Sequence, residues 1–163
     1  MTETIVEITP RMKNPAGLLP GAYDAVQALI QSTRKGGVPA ETMELVHLRV
    51  SQINGCSFCV DMGWSGLKKK SDDAVRKLFA VSAWREAPFF TEAERAALTL
   101  AEAVTRLSDR PDPVSDEIWD EAARHFDERQ LAALLLWIST TNVFNRINVS
   151  VRQPAGSWSP SEE

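Results

Sequence analysis

The stretch Pro39-Ala-Glu-Thr-Met-Glu44-Leu-Val-His47-Leu-Arg-Val-Ser51-Gln-Ile-Asn-Gly55-Cys56-Ser-Phe-Cys59 decides how this chain is read. Met43, Val46, Val50 and Ile53 recur at helical spacing, Pro39 suits a first helical position and Gly55 is a stop. The spacing therefore predicts a helix over Pro39–Asn54. At roughly 100° per residue, positions 44, 47, 51 and 55 fall near one face. Glu44, His47 and Ser51 make a polar stripe running toward Gly55 and Cys56. A second helix is expected from about Cys56 to Lys70, with both thiols in its first turn.

The same signals repeat on either side of this stretch. Leu18–Gln31 reads as a helix ending before Lys35-Gly36-Gly37. Ser71, followed by Asp72 and Asp73, caps a helix carrying Val75, Leu78 and Phe79. Thr91 and Glu94 have capping-box spacing ahead of Ala97, Leu100, Ala101, Val104 and Leu107. Ser115 opens a short helix with Ile118, Trp119 and Ala122. Asp127 with Gln130 caps the most apolar helix, through Leu131, Leu134, Leu135 and Ile138. Ile147, Val149 and Val151 alternate with polar residues in a strand-like pattern of period two. A lone run has no strand to pair with, so it reads as a continuation of the last helix. The fold class expected is all-α, a single helical domain.

Composition narrows the function classes. The chain has 163 residues, 44 % apolar and 25 % charged, which excludes a disordered, collagen-like or disulfide-dense protein. Eighteen Lys and Arg against 22 Asp and Glu give a formal charge of −4, the wrong sign for a nucleic-acid phosphate backbone. The basic run Lys68–Lys70 reads as a helix C-terminus that favours cations. The longest apolar run is Leu131–Ile138, eight residues against the roughly 20 that span a bilayer. No basic n-region opens the sequence, so neither a secretory signal nor a membrane partner is expected, and the expected location is cytoplasmic.

Cys56 and Cys59 are the only cysteines, spaced as CxxC. Two cysteines placed at random would take this spacing roughly one time in 80, so the pair reads as selected. It can cycle between dithiol and disulfide, with a helix N-terminus favouring the thiolate. It can also be half of a zinc site, or two buried small hydrophobes. Zinc needs two further ligands, and the only histidines are His47 and His125, far apart in sequence; no metal is expected. The redox reading is the one the residues favour. Glu44 and His47, one turn apart, can share a proton beside a thiol. The alternative for that stripe is the solvent face of an amphipathic helix.

The segment from Glu44 through Cys56-Ser-Phe-Cys59 to Val60-Asp-Met resembles the signature of the alkyl hydroperoxidase D and carboxymuconolactone decarboxylase superfamily. The twelve-residue spacing from carboxylate to first cysteine matches, as does the CxxC. The run Asn142-Val-Phe-Asn-Arg146 to Pro154 resembles the end of the same domain. The resemblance implies an N-terminal extension over 1–14, the helical domain over 15–154 and an irregular tail over 155–163. It implies a homo-oligomer, trimer or hexamer, reducing a hydroperoxide substrate without metal, haem, flavin or other cofactor. A dithiol reductant protein or a small thiol would restore the enzyme.

By the same resemblance Cys56 and Cys59 are the redox pair and Glu44 is the carboxylate of a proton relay. Cys59 attacks peroxide there, and Cys56 is the exposed thiol that meets the reductant. The family relay also has a histidine four residues after the second cysteine, where this chain has Gly63 followed by Trp64. A glycine relays nothing, which leaves His47, or water organised by Glu44 and Asp61, as the base. A thiol of pKa near 8.5 is only about 3 % ionised at neutral pH and one near 6 about 90 %, so a lost base costs roughly thirtyfold in thiolate. The expected function is a thiol-dependent alkyl hydroperoxide reductase. The rivals are a cofactor-free carboxymuconolactone decarboxylase and a non-catalytic helical assembly protein.

Other residues read less sharply. Trp64, Trp84, Trp119, Trp137 and Trp158 suit core and interface packing or an apolar pocket, with Trp64 one turn past Cys59. Asn142, Asn145, Arg146 and Asn148 read as structural hydrogen bonders. His125 reads as a helix-end surface residue.

Overall fold

The computed structural model describes residues 6–64 and 70–157, and the side chain of Trp64 lies outside that description. All its regular structure is helical: α1 (Pro15–Leu18), α2 (Ala22–Arg34), α3 (Ala40–Ile53), α4 (Ser57–Trp64), α5 (Asp72–Ala80), α6 (Glu92–Thr105), α7 (Asp116–His125) and α8 (Glu128–Val151). A 3-10 turn, Val81–Ala83, extends α5. The all-α expectation holds, and Ile147–Val151 is the last turn of α8 rather than a strand. Among the described residues no helix is long and apolar enough to cross a membrane.

Helix ends follow the caps written in the sequence. Ser71 accepts from the Ala74 N–H, and Thr91–Glu94 and Asp127–Gln130 form complete capping boxes. Three expectations shift. The first long helix begins at Ala22 instead of Leu18, because Gly21 turns left-handed at φ 77°. Pro39 caps α3 from outside, with an extended ψ of 136°. Phe79 and Leu107 point to solvent: Phe79 is 69 % exposed, and Leu107 lies beyond the end of α6. The continuation of α4 toward Lys70, the basic residues 68 and 69, and Trp158 lie outside the described residues.

α3 runs between two apolar clusters. Met43, Val46 and Val50 pack with Leu100 of α6 and Leu134 and Ile138 of α8. Leu45 and Leu48 pack with Leu78, Val81, Trp84 and Leu98. A helix buried on two sides has little room for a continuous polar face. Its start is fixed by close backbone approach: a Cβ on Gly36 would lie 2.2 Å from the Cβ of Ala133 on α8, so only glycine fits. The Arg129 guanidinium donates to the Lys35 carbonyl at 2.8 Å beside it.

α3 is also tied to α6 by the buried carboxylate of Glu102. It accepts from Arg49 Nε at 2.6 Å, Trp84 Nε1 at 3.0 Å and Arg85 at 2.9 Å. Burial alone would raise its pKa; the Trp84, Arg49 and Arg85 hydrogen bonds outweigh that and hold it below the usual range.

Candidate active site around Cys56 and Cys59

The thiol site is built where α3 hands over to α4. Asn54 ends α3, and Gly55 turns left-handed at φ 65°, a conformation glycine takes without strain. Cys56 N–H then returns to the Ser51 carbonyl at 3.0 Å, and α4 starts at Ser57. Cys56 thus occupies the cap of α4. Its sulfur accepts the Cys59 backbone N–H at 3.3 Å, as an oxygen does in an ordinary N-cap.

That position divides the acidity of the pair. The Cys59 thiol donates to Cys56 and the Cys59 N–H adds to it; together they outweigh burial and lower the Cys56 pKa to about 7. The same shared hydrogen bond, with burial, pushes Cys59 upward. At neutral pH about half of Cys56 is thiolate. Both sulfurs are reduced and buried, each residue 1 % exposed, so Cys56 is not the exposed thiol the sequence led us to expect.

Each cysteine lines a cavity of its own. Cys56 lies on the wall of a cavity of about 570 Å³, together with Val6–Thr9 of the N-terminal segment, Ser57, Asn148 and Arg152. Cys59 lies on a smaller one, about 210 Å³, with His47, Tyr23, Met62, Trp137 and Phe144. Phe58 and Asn148 stand between the two, on both walls.

The polar stripe on α3 splits around these cavities. His47 does reach the thiols' surroundings, sharing the smaller cavity with Cys59 and lying 5.8 Å from the Trp137 ring. Burial lowers its pKa to about 4, so the ring is neutral. Ser51 is buried and accepts from Asn145 at 3.1 Å. Glu44 turns the other way: it is half exposed and ion-paired with Lys70, and among the described residues it lines neither thiol cavity. Gly63, where a relay base is expected by resemblance, is helical, and among the described residues a Cβ at this position would make an ordinary van der Waals contact with Leu48 Cδ1, at 3.9 Å.

The polar partners of the thiols come instead from α8 and the N-terminal segment. Asn148 Nδ2 donates to Cys59 Sγ at 3.4 Å, while its oxygen accepts from Asn14 at 3.1 Å. Asn145 donates to Ser51 and accepts from Asn54 at 2.9 Å, and its nearby amide favours the thiolate form of both cysteines. Asn54 also donates to Asn142 at 2.9 Å. The signal was present in the sequence as asparagines at 142, 145 and 148, one per turn on the helix whose first half is the apolar run Leu131–Ile138. Among the described residues, no group of three or more His, Cys, Asp or Glu side chains comes together as a metal cluster.

A helical domain carrying a capped CxxC defines the class, and comparison with known proteins places the chain within it. The model of the carboxymuconolactone decarboxylase family matches residues 20–103, just over half of the sequence. The chain belongs to this family, within the alkyl hydroperoxidase D-like and carboxymuconolactone decarboxylase superfamily. It is 36 % identical over 125 residues to YdfG of Bacillus subtilis, covering 77 % of this chain and 83 % of YdfG. An Agrobacterium tumefaciens protein of unknown function, for which an AhpD antioxidant defence role has been suggested, has a structure matching at TM-score 0.80 and 32 % identity, covering 92 % of this chain and 100 % of that one. The debrominase Bmp8 shares the fold at TM-score 0.74 and 23 % identity, over 86 % of this chain and 74 % of its own.

Proposed function

We propose that this protein is a thiol peroxidase that reduces hydroperoxides with Cys56 and Cys59. The observation that carries the reading is the Cys56 sulfur at the cap of α4, accepting the Cys59 N–H at 3.3 Å and acidified to about 7. The roles implied by resemblance are exchanged here. Cys56, half ionised at neutral pH, is the nucleophile, and Cys59, held protonated, resolves the product. The Cys56 thiolate attacks the distal peroxide oxygen, the O–O bond breaks, and the alkoxide leaves and takes a proton from water. Cys59 then attacks the sulfenic sulfur of Cys56. The hydroxyl departs with the Cys59 proton as water, and a disulfide remains. A dithiol reductant, protein or small thiol, returns two electrons. Assembly as a homo-oligomer is part of the same reading, supported by the exposed Leu136 and Val143 along α8 and Tyr23 and Leu29 on α2.

Peroxide consumption followed by intact mass tests the assignment. The native protein is expected to lose two hydrogens. Cys59→Ser is expected to consume a single equivalent and stop at a sulfenic acid that dimedone traps, and Cys56→Ser to consume none. Trapping in Cys56→Ser instead restores Cys59 as nucleophile, and an inert native protein ends the peroxidase reading.

A further inference from the structure

A cavity of about 270 Å³ is bordered by the C-terminal half of α6, the loop that follows it and Ile118 of α7, and three arginines stand on its wall: Arg85, Arg106 and Arg110. It shares no lining residue with either thiol cavity. Arg85 and Arg106 converge, their Nη1 atoms lying 2.9 and 3.6 Å from the same oxygen, Oε2 of Glu102. Arg85 is also seated over the Trp84 ring, 4.3 Å from its centroid. Arg110 is held to its own loop, donating from Nη2 to the Pro113 carbonyl at 3.1 Å. The Arg106 guanidinium makes no hydrogen bond among the described residues; it has only ion-pair neighbours, Glu102 at 3.6 Å and Asp109 at 4.0 Å. Its fork of N–H groups is open.

The charges on this wall do not cancel. Glu102 is already matched by Arg49, which does not line the cavity and donates to its other oxygen, Oε1, at 2.6 Å. Asp109, its side chain 60 % exposed, is then the one carboxylate left to oppose the three arginines. Asp112, the next acid along the loop, is not on the wall. Three arginines less Asp109 leave an excess of two positive charges, in a chain whose formal charge is −4.

We propose that this cavity is a binding site for a small soluble phosphate monoester, its phosphate oxygens accepting from Arg85, Arg106 and Arg110 and its organic group lying on Pro113 and Ile118. A phosphate monoester carries close to two negative charges at neutral pH, which matches the excess on the wall. Guanidinium forks meet phosphate oxygens two at a time, so arginine suits this ligand better than a point charge would. Glu102, satisfied by Arg49 and Trp84, orients Arg85 and Arg106 without adding net charge. A singly charged ester of the same shape leaves one positive charge unmatched. The site does not depend on the thiols reacting with peroxide.

The test is titration of the full chain with phenyl phosphate at about pH 8, followed by the arginine Nε–H resonances. Saturable shifts of the Arg85, Arg106 and Arg110 signals are expected. Phenyl sulfate, the same shape with one charge, is expected to bind more weakly by about tenfold or more. Arg106→Gln and Arg110→Gln are each expected to weaken phenyl phosphate binding by about tenfold or more. Both side chains are exposed, so the fold tolerates the change. Arg34→Gln, which removes the same charge from the end of α2, is expected to leave binding unchanged. Equal binding of the two esters, or undiminished binding to Arg106→Gln or Arg110→Gln, overturns the proposal. Sedimentation with vesicles containing phosphatidic acid, without saturable binding of phenyl phosphate, overturns it too and makes the surface a membrane contact. Because binding is read in the reduced protein with no peroxide present, a failure here is distinct from failure to consume peroxide.

Discussion

Cys56 does at the start of α4 what a serine or aspartate does at other helix starts, and sulfur in that place acquires acidity along with its hydrogen bond. A consequence is that no separate base is required for the thiolate to exist. The peroxide rate should follow the Cys56 ionisation, reaching half its maximum near pH 7, falling about tenfold per unit below pH 6 and flat above pH 8. Second-order rate constants measured over that range check it; a midpoint near 8.5 would mean the cap does not acidify the sulfur. His47 should not set this profile. Taking a proton from the Cys56 thiol, at about 7, onto a ring of pKa about 4 is uphill by about 4 kcal/mol. His47→Ala is therefore expected to leave the midpoint in place, and a displacement of half a unit or more would put the ring in the proton path.

α4 carries both the gain and the loss of this site: a sulfur-capped N-terminus at one end and a glycine at the other. The helices themselves were legible because their caps are side chains with one job, as at Ser71, Thr91 and Asp127. The Glu44–His47–Ser51 stripe was legible only as a pattern. Its members share a face by angle, yet α3 lies between two apolar clusters that leave each polar side chain a different exit, and Glu44 goes to Lys70. The asparagines of α8 were visible and their target was not, since nothing in the sequence says that residues 59 and 148 meet. Gly63 gives the element its own predictions. Without positive φ and with the nearest atom at 3.9 Å, Gly63→Ala should stabilise the fold by about 0.5–1 kcal/mol in denaturant titrations. Gly63→His should speed peroxide reduction at pH 7 by no more than about twofold, because Cys56 is already half ionised. A thirtyfold gain would show that a relay, and not the cap, limits the thiol chemistry.

Across the whole molecule, polar groups buried among α3, α6 and α8 tie stability to charge. Glu102 joins Arg49, Trp84 and Arg85, so Glu102→Leu should cost about 3–5 kcal/mol by leaving Arg49 unpaired in the interior. Thermal or denaturant unfolding reads that loss directly. His47 makes a separate contribution with a definite direction. Its pKa is about 4 when folded against 6.5 unfolded, so the unfolded chain takes up a proton that the native one refuses. That stability is present in full above pH 6.5 and drains as pH falls toward 4. Between pH 7 and pH 5 the loss is about 2 kcal/mol, at the upper end because burial is relaxed when water enters the cavity. The Glu102 carboxylate, with its lowered pKa, gives up its own contribution only at more acid pH, which leaves this window to the ring. Unfolding free energies at pH 7 and pH 5 for the native chain and for His47→Gln isolate it. The variant's own offset cancels, since the quantity compared is the change with pH. The native chain should lose about 2 kcal/mol more than His47→Gln across the window. Parallel losses in the two would show that the ring titrates in the folded protein as it does in water, and that the cavity beside Cys59 is wet enough to admit the proton.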